Sequence, residues 1–200
     1  MKAPLRYQAT EFDCGPTAVL NAISFLYDTE EIPPDFVKRI YEVGLDNYGR
    51  KLAYHGGTST DAMRYLAAWF TQYAQRNEYP LKVEFYAGGD ISLKGDSPIL
   101  KCLREGGAAV VRCVLETDHY ITLTGIEGRF VHVFDPYYEE DEDYRGVTFV
   151  HDRPKEMNRL VDMDIIDCNE QCDYAFCRMK DRSAMLLWRT DEKSNIEISP

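Results

Sequence analysis

The feature that most constrains the fold of this chain is a change in hydrophobic period near residue 108. Before that point, apolar residues recur mainly at the spacing of amphipathic helices. After it, three segments alternate with a period of two, which is typical of antiparallel strands: Ala108–Leu115, residues 120–126 and Phe130–Phe134. Helices first and sheet afterwards predict an α+β fold, with N-terminal helices packed on an antiparallel sheet.

Three helices are expected in the N-terminal half. The first should begin at about Pro16, because a proline suits the first turn and disfavours helical geometry in the residue before it. The second follows Pro33-Pro34 and ends at Gly44. The third opens at Thr58, whose spacing to Asp61 fits a capping box.

Other segments complete the expected layout. Residues 139–143 form an acidic run that predicts a solvated loop, because it lacks the glycine and the alternating ligands of a calcium loop. The remaining predicted elements are a loop at residues 45–57, a strand at Leu81–Ala87, a short helix after Ser97-Pro98 and a strand at residues 184–189.

Length and composition restrict the class of protein. Two hundred residues with 44% hydrophobic content predict a single domain spanning residues 1–200. A net charge of −11 argues against nucleic acid and anionic membranes as partners. The longest uncharged stretch, from Cys14 to Tyr27, is shorter than the roughly 20 residues of a membrane span. Without an apolar signal sequence, a cytoplasmic location and free thiols for all six cysteines are expected.

Cys14 is the first candidate for chemistry, since it immediately precedes the predicted helix start. Unpaired N–H groups and the positive end of the helix dipole stabilise a thiolate at such a position. Cysteine is also among the most frequently buried residue types, so Cys14 considered alone favours core packing.

His119 and Asp135 form the second candidate. If Glu127-Gly128-Arg129 make a three-residue hairpin loop, Ile126 pairs with Phe130 and Ile121 lies opposite Asp135. His119 and Asp135 then share one face at one end of the hairpin, where a carboxylate can orient an imidazole. A loop shorter by one residue would place them on opposite faces, and a polar pair at a sheet edge is the alternative interpretation.

Gln8 is the third candidate, six residues before Cys14. A side-chain amide near a nucleophile can donate a hydrogen bond to an oxyanion, together with a backbone N–H at the helix start. The order Gln, Cys, His, Asp along the chain is that of papain-like enzymes.

Three short motifs give these residues a family resemblance. Residues 8–17, QATEFDCGPT, resemble the cysteine signature of the bacteriocin-processing, double-glycine leader peptidases. Asp118-His119-Tyr120 resembles the histidine block of that family, and VFDPY at residues 133–137 resembles its aspartate block. The resemblance covers about residues 5–137, which leaves residues 138–200 as an extension that completes the sheet or the cleft. The chain lacks a nucleotide-binding motif, so a free-standing member without a transporter is expected.

The resemblance implies a papain-like cysteine peptidase fold and a role for each residue. Cys14 is the implied nucleophile, His119 the general base and acid, Asp135 the group that orients His119, and Gln8 an oxyanion-hole donor. It implies cleavage of a peptide or small amide through a thioester, with no metal or organic cofactor. Two alternatives stay open: transfer of the acyl group to an amine, or a non-catalytic peptide-binding module.

The other cysteines and histidines are predicted to have structural or surface roles. The three- and four-residue spacings of Cys168, Cys172 and Cys177 differ from common zinc motifs, so free thiols are expected. His55 either lines the cleft or belongs to a helix-entry turn. His132 is predicted to point away from His119, and His151 to lie at the surface.

Overall fold

The computed structural model describes residues 1–47 and 55–191 and confirms the α+β architecture. In these residues a single antiparallel sheet has the strand order β1-β7-β2-β3-β4-β6-β5. The helices are α1 (Cys14–Leu26), α2 (Pro34–Gly44), α3 (Thr60–Asn77), α4 (Pro98–Arg104) and α5 (Met163–Ile166). The strands are β1 (Leu81–Ala87), β2 (Ala108–Leu115), β3 (Thr117–Glu127), β4 (Phe130–Phe134), β5 (Val147–Phe149), β6 (Arg159–Asp162) and β7 (Ser183–Arg189).

Two hydrophobic clusters pack on opposite faces of the sheet. Alternation along β2 separates them, since Val110 belongs to the cluster with α1, α2 and α3, whereas Val111 belongs to the cluster with α4 and α5. The first cluster includes the fully buried Phe36 and Phe70. The helices predicted from the first half of the sequence therefore cover one face of the sheet. No helix in the described ranges is long and apolar enough to cross a bilayer.

The first helix begins at Cys14, two residues before the predicted start at Pro16. The residue before this proline is Gly15, which has no Cβ to clash with the proline ring and can therefore be helical. The same glycine permits close packing, because a Cβ there would lie 2.1 Å from Oγ1 of Thr58. The Thr58 hydroxyl in turn donates a hydrogen bond to the carbonyl of Gly44. This contact fixes the start of α1 against the end of α2.

The expected capping box at Thr58 is wrong. Ser59 is the N-cap of α3, and its hydroxyl accepts a hydrogen bond from the backbone N–H of Ala62. Thr58 is unavailable as a cap because its hydroxyl is bound to Gly44. The predicted loop at residues 45–57 lies partly outside the described residues.

The β3–β4 hairpin differs from the predicted one at two positions whose effects cancel. Its turn is two residues long, so Phe130 pairs with Glu127 instead of Ile126. The register then shifts between Leu123 and Gly125, where β3 contains one extra residue. Beyond that bulge, Leu123 pairs with Val133, which is the register that the longer predicted loop would have given. Glu127, which was expected in the turn, is thus the last residue of β3.

Within residues 139–191, the described part of the chain after residue 138, there are three strands. β5 and β6 extend the sheet beyond β4, and neither was predicted from the sequence. β7, which was expected at residues 184–189, lies between β1 and β2. The acidic run at 139–143 has no regular secondary structure and is largely exposed, as expected.

Candidate active site

Cys14 is the first residue of α1, and its side chain is largely buried, with 7% exposure. The preceding residue, Asp13, does not cap the helix with its carboxylate. That carboxylate instead accepts hydrogen bonds from the N–H groups of Ala9 and Thr10 and from the hydroxyl of Thr17. Asp13 therefore shapes the loop that leads to Cys14 and leaves the first turn of α1 without a side-chain cap.

Hydrogen bonds also determine the charge of Asp13. Burial raises the pKa of its carboxyl, but hydrogen bonds from Thr10, Ala9 and Thr17 outweigh burial and lower the pKa below its usual value. A carboxylate at this position is therefore ionised at neutral pH and remains an acceptor for the loop.

His119 connects Cys14 with Asp135. Its Nε2 lies 2.7 Å from Oδ1 of Asp135, and its ring also interacts with the thiol of Cys14. Because Nε2 faces the carboxylate, Nδ1 is the ring nitrogen left for the thiol. His119 lies inside β3 and not at its start, since the strand begins at Thr117. The structure thus brings together three of the four residues that the sequence singled out.

Burial and ion pairing oppose each other at His119. Burial lowers the pKa of the imidazole, but attraction to the Asp135 carboxylate and hydrogen bonds to Asp135 and Cys14 raise it to about 10. At Asp135, burial raises the pKa, whereas the charge and hydrogen bond of His119 lower it below its usual value. The pair therefore favours an imidazolium beside a carboxylate at neutral pH.

Asp135 is fully buried, and it makes four further hydrogen bonds. Oδ1 also accepts the N–H of Tyr137 at 2.8 Å, and Oδ2 accepts the hydroxyl of Tyr174 at 2.8 Å. The side chain of Asn158 binds the main chain of Asp135 twice, at its N–H and at its carbonyl. Tyr174 and Asn158 were missed because they lie 39 and 23 residues after Asp135, in segments without a periodic pattern.

Gln8 is not in hydrogen-bond contact with Cys14 in the described part of the chain. Its Nε2 donates to the carbonyl of Thr10 at 2.8 Å, and its Oε1 is buried without a partner. Its backbone N–H donates to the carbonyl of Pro136, which places the N-terminal segment next to the residue that follows Asp135. The backbone of Gln8 is thus close to Asp135 in the fold, but its side-chain amide is hydrogen-bonded to Thr10.

A cavity of about 450 Å³ is lined by sequence and strand neighbours of His119, but not by His119, Cys14 or Asp135. Its lining includes Asp118, which precedes His119 in the chain, and Cys113, which pairs with His119 across the sheet. Phe176 and Cys177 also line it.

The remaining candidates lie outside this arrangement. His55 is exposed, and its ring packs 4.7 Å from that of Phe12, near the loop that leads to Cys14. His132 contacts Glu127 and has no contact with His119, and His151 is an exposed partner of Asp141.

The C-terminal thiols are grouped in one segment. The thiol of Cys168 accepts a hydrogen bond from the N–H of Glu170, and Cys177 donates to the carbonyl of Glu170. Throughout residues 1–47 and 55–191, no group of three or more His, Cys, Asp or Glu side chains is placed to hold a metal ion.

Comparison with known proteins gives matches among solved structures alone. No family model matches the chain, and no curated protein matches it. One similar structure is a double glycine motif protease from an AMS/PCAT transporter in complex with the leader peptide. It has 12% identity and a TM-score of 0.44, with 92% of this chain and 88% of that chain covered. A second is a putative C39-like peptidase from Bacillus anthracis, with 13% identity and a TM-score of 0.49, covering 94% of this chain and 96% of that one. At these identities the likeness does not extend to substrate or activity.

Proposed function

We propose that this protein is a cysteine-dependent hydrolase that cleaves a peptide or related amide bond. The observation that carries the proposal is the 2.7 Å hydrogen bond between His119 and Asp135, together with the interaction of His119 with Cys14 at the start of α1. A nucleophile bonded to a base, which is itself oriented by a third group, is the arrangement that covalent acyl transfer requires.

The proposed reaction has two halves. His119 holds the proton of the Cys14 thiol, and the thiolate attacks the carbonyl carbon of the substrate. The tetrahedral intermediate collapses when His119 protonates the leaving amine, which leaves a thioester on Cys14. His119 then takes a proton from water, whose oxygen attacks the thioester, and the carboxylic acid leaves as the thiol is reprotonated.

The start of α1 would stabilise the oxyanion. The N–H of Cys14 is in the first turn, which lacks a side-chain cap and carries the positive end of the helix dipole. Gln8 is proposed as a second donor. One hydrogen of its amide is bound to Thr10, so it would donate through the other hydrogen or after release from Thr10.

Product analysis tests the proposal. The protein is incubated with a peptide library, and the products are identified by mass spectrometry. We expect cleavage that Cys14→Ala abolishes and that Cys172→Ala, which removes an exposed thiol, preserves. Cleavage that persists in Cys14→Ala would exclude this nucleophile.

The same experiment separates hydrolysis from acyl transfer. An added amine such as hydroxylamine intercepts a thioester, so products that carry the amine reveal the intermediate. If products form only when an amine is present, the protein is an acyltransferase. If the protein binds peptides but none of them reacts, the non-catalytic binding module is favoured.

A further inference from the structure

We propose that Tyr174 is a positioning residue that holds Asp135 in the orientation His119 needs. The inference rests on the proposed function, because it assigns a role to a residue of the segment after residue 138 in that same site. Tyr174 would not touch the substrate, and it would act through the carboxylate of Asp135.

The geometry of the carboxylate gives the first argument. The two oxygens of Asp135 have different partners: His119 and the N–H of Tyr137 are at Oδ1, whereas the Tyr174 hydroxyl is at Oδ2. A carboxylate rotates easily about its last bond, because this torsion has a broad energy minimum. Donors on both oxygens fix the plane of the group and thereby direct Oδ1 at Nε2 of His119.

Electrostatics gives the second argument. Asp135 has no solvent exposure, so its charge depends on hydrogen-bond donors from the protein. Burial and the neighbouring Asp135 charge raise the pKa of Tyr174 above its ordinary value, so the hydroxyl keeps its proton. It is therefore a donor to Asp135 at neutral pH.

The backbone of Tyr174 gives the third argument. Its φ is 66°, in the left-handed region that a bulky side chain rarely adopts and that costs of order 1 kcal/mol or more. Two backbone hydrogen bonds secure this conformation, from Tyr174 to the carbonyl of Val114 and from Phe176 to the carbonyl of Ile166. A glycine would adopt it without strain but would supply no hydroxyl to Asp135.

Tyr27 provides a matched control. It is also fully buried, and its hydroxyl donates a 2.7 Å hydrogen bond to the carbonyl of Pro80, with no partner in the candidate site. Tyr174→Phe and Tyr27→Phe therefore remove the same atom and one hydrogen bond each, to a carboxylate in the first case and to a backbone carbonyl in the second. A purely structural role for Tyr174 predicts similar losses of stability and no difference at His119.

The test uses the full chain and two measurements on wild type and both variants. The first is the downfield NMR resonance of the Nε2 proton of His119, assigned by its absence in His119→Asn. The second is the rate at which iodoacetamide alkylates Cys14, measured by peptide mass spectrometry. Circular dichroism verifies that each variant is folded.

We expect Tyr174→Phe to shift or broaden the His119 resonance and to slow alkylation of Cys14 about tenfold, which is the size expected for one hydrogen bond to a charged group. Tyr27→Phe should leave both unchanged. Wild-type values in Tyr174→Phe, or equal changes in the two variants, would overturn the positioning role. The NMR measurement requires no activity. If alkylation is indifferent to His119→Asn, the proposed function fails while the resonance still tests Tyr174.

Discussion

At the scale of single residues, the candidate site depends on one ion pair, His119–Asp135, that is almost completely buried from solvent. His119 is buried, and burial alone would keep its imidazole neutral. The carboxylate of Asp135 reverses that preference, and the proton on Nε2 is directed at Oδ1. Each member of the pair is therefore stable in its charged form because the other is present.

This pairing makes stability depend on pH. The pKa of His119 is raised from 6.5 to about 10 in the folded protein, so the folded state binds a proton more tightly than the unfolded state. The resulting stabilisation is complete below pH 6.5 and is lost as the pH rises towards 10. Urea unfolding of wild type and His119→Asn at several pH values measures it. We expect the difference in unfolding free energy to shrink between these pH values. A difference that does not change with pH would contradict the assignment of the charge to His119.

The sequence predicts the three connected residues because each has a local signal. Cys14 precedes a helix, and His119 and Asp135 lie on adjacent strands joined by a short turn. Tyr174 and Asn158 have no such signal, since only the tertiary fold brings them to Asp135. The hydrogen bond from Gln8 to Thr10 could not be predicted either, because it depends on the side-chain conformation within the loop.

At the scale of elements, the position of His119 relative to Asp135 depends on how one extra residue is accommodated. The predicted loop of three residues and the observed turn of two with a bulge contain the same number of residues between Leu123 and Val133. Pairing beyond those residues is therefore the same in both arrangements. The strand register near His119 and Asp135 could be predicted because it depends only on the number of residues between Leu123 and Val133. The turn type depends on local backbone conformation and was predicted wrongly.

The start of α1 is the element most sensitive to substitution. Gly15→Ala places a methyl group 2.1 Å from Oγ1 of Thr58, so the helix start or the loop must move. We expect a loss of about 1–3 kcal/mol in unfolding free energy and slower alkylation of Cys14. Chemical denaturation and the alkylation rate measure the two effects.

Gly89→Ala is the matched control for that substitution, because nothing lies within 4 Å of the added methyl group. It should leave stability and alkylation close to wild type. Equal behaviour of the two alanine variants would show that the Gly15–Thr58 contact does not position Cys14.

At the scale of the whole molecule, one buried cation contacts the segment between α5 and β7 at several points. Arg182 donates to the carboxylate of Asp167 and to the carbonyls of Ile91 and Cys177. Both charged side chains are almost completely buried. This segment includes Tyr174, so Arg182 stabilises the chain that reaches Asp135. Sequence patterns do not show such an arrangement, because its partners are distant in the chain.

Removal of that cation should be costly. Arg182→Met leaves the carboxylate of Asp167 buried without its main partner, for which we expect a loss of about 3–5 kcal/mol. Arg178→Met removes an exposed ion pair with Asp181 and should cost less than about 1 kcal/mol. Urea unfolding of both variants makes the comparison. Similar losses in the two would contradict the central role of Arg182.

The pH dependence of Cys14 alkylation in wild type and His119→Ala tests the central claim most directly. Cys14 should react with iodoacetamide faster than a free thiol at the same pH, and the substitution should slow the reaction. An unstructured cysteine-containing peptide in the same sample is the reference, because burial and Cys168 raise the pKa of Cys172 to about 11. That result would establish a thiolate paired with His119. Alkylation of Cys14 that follows an ordinary thiol profile and is indifferent to His119 would contradict the account.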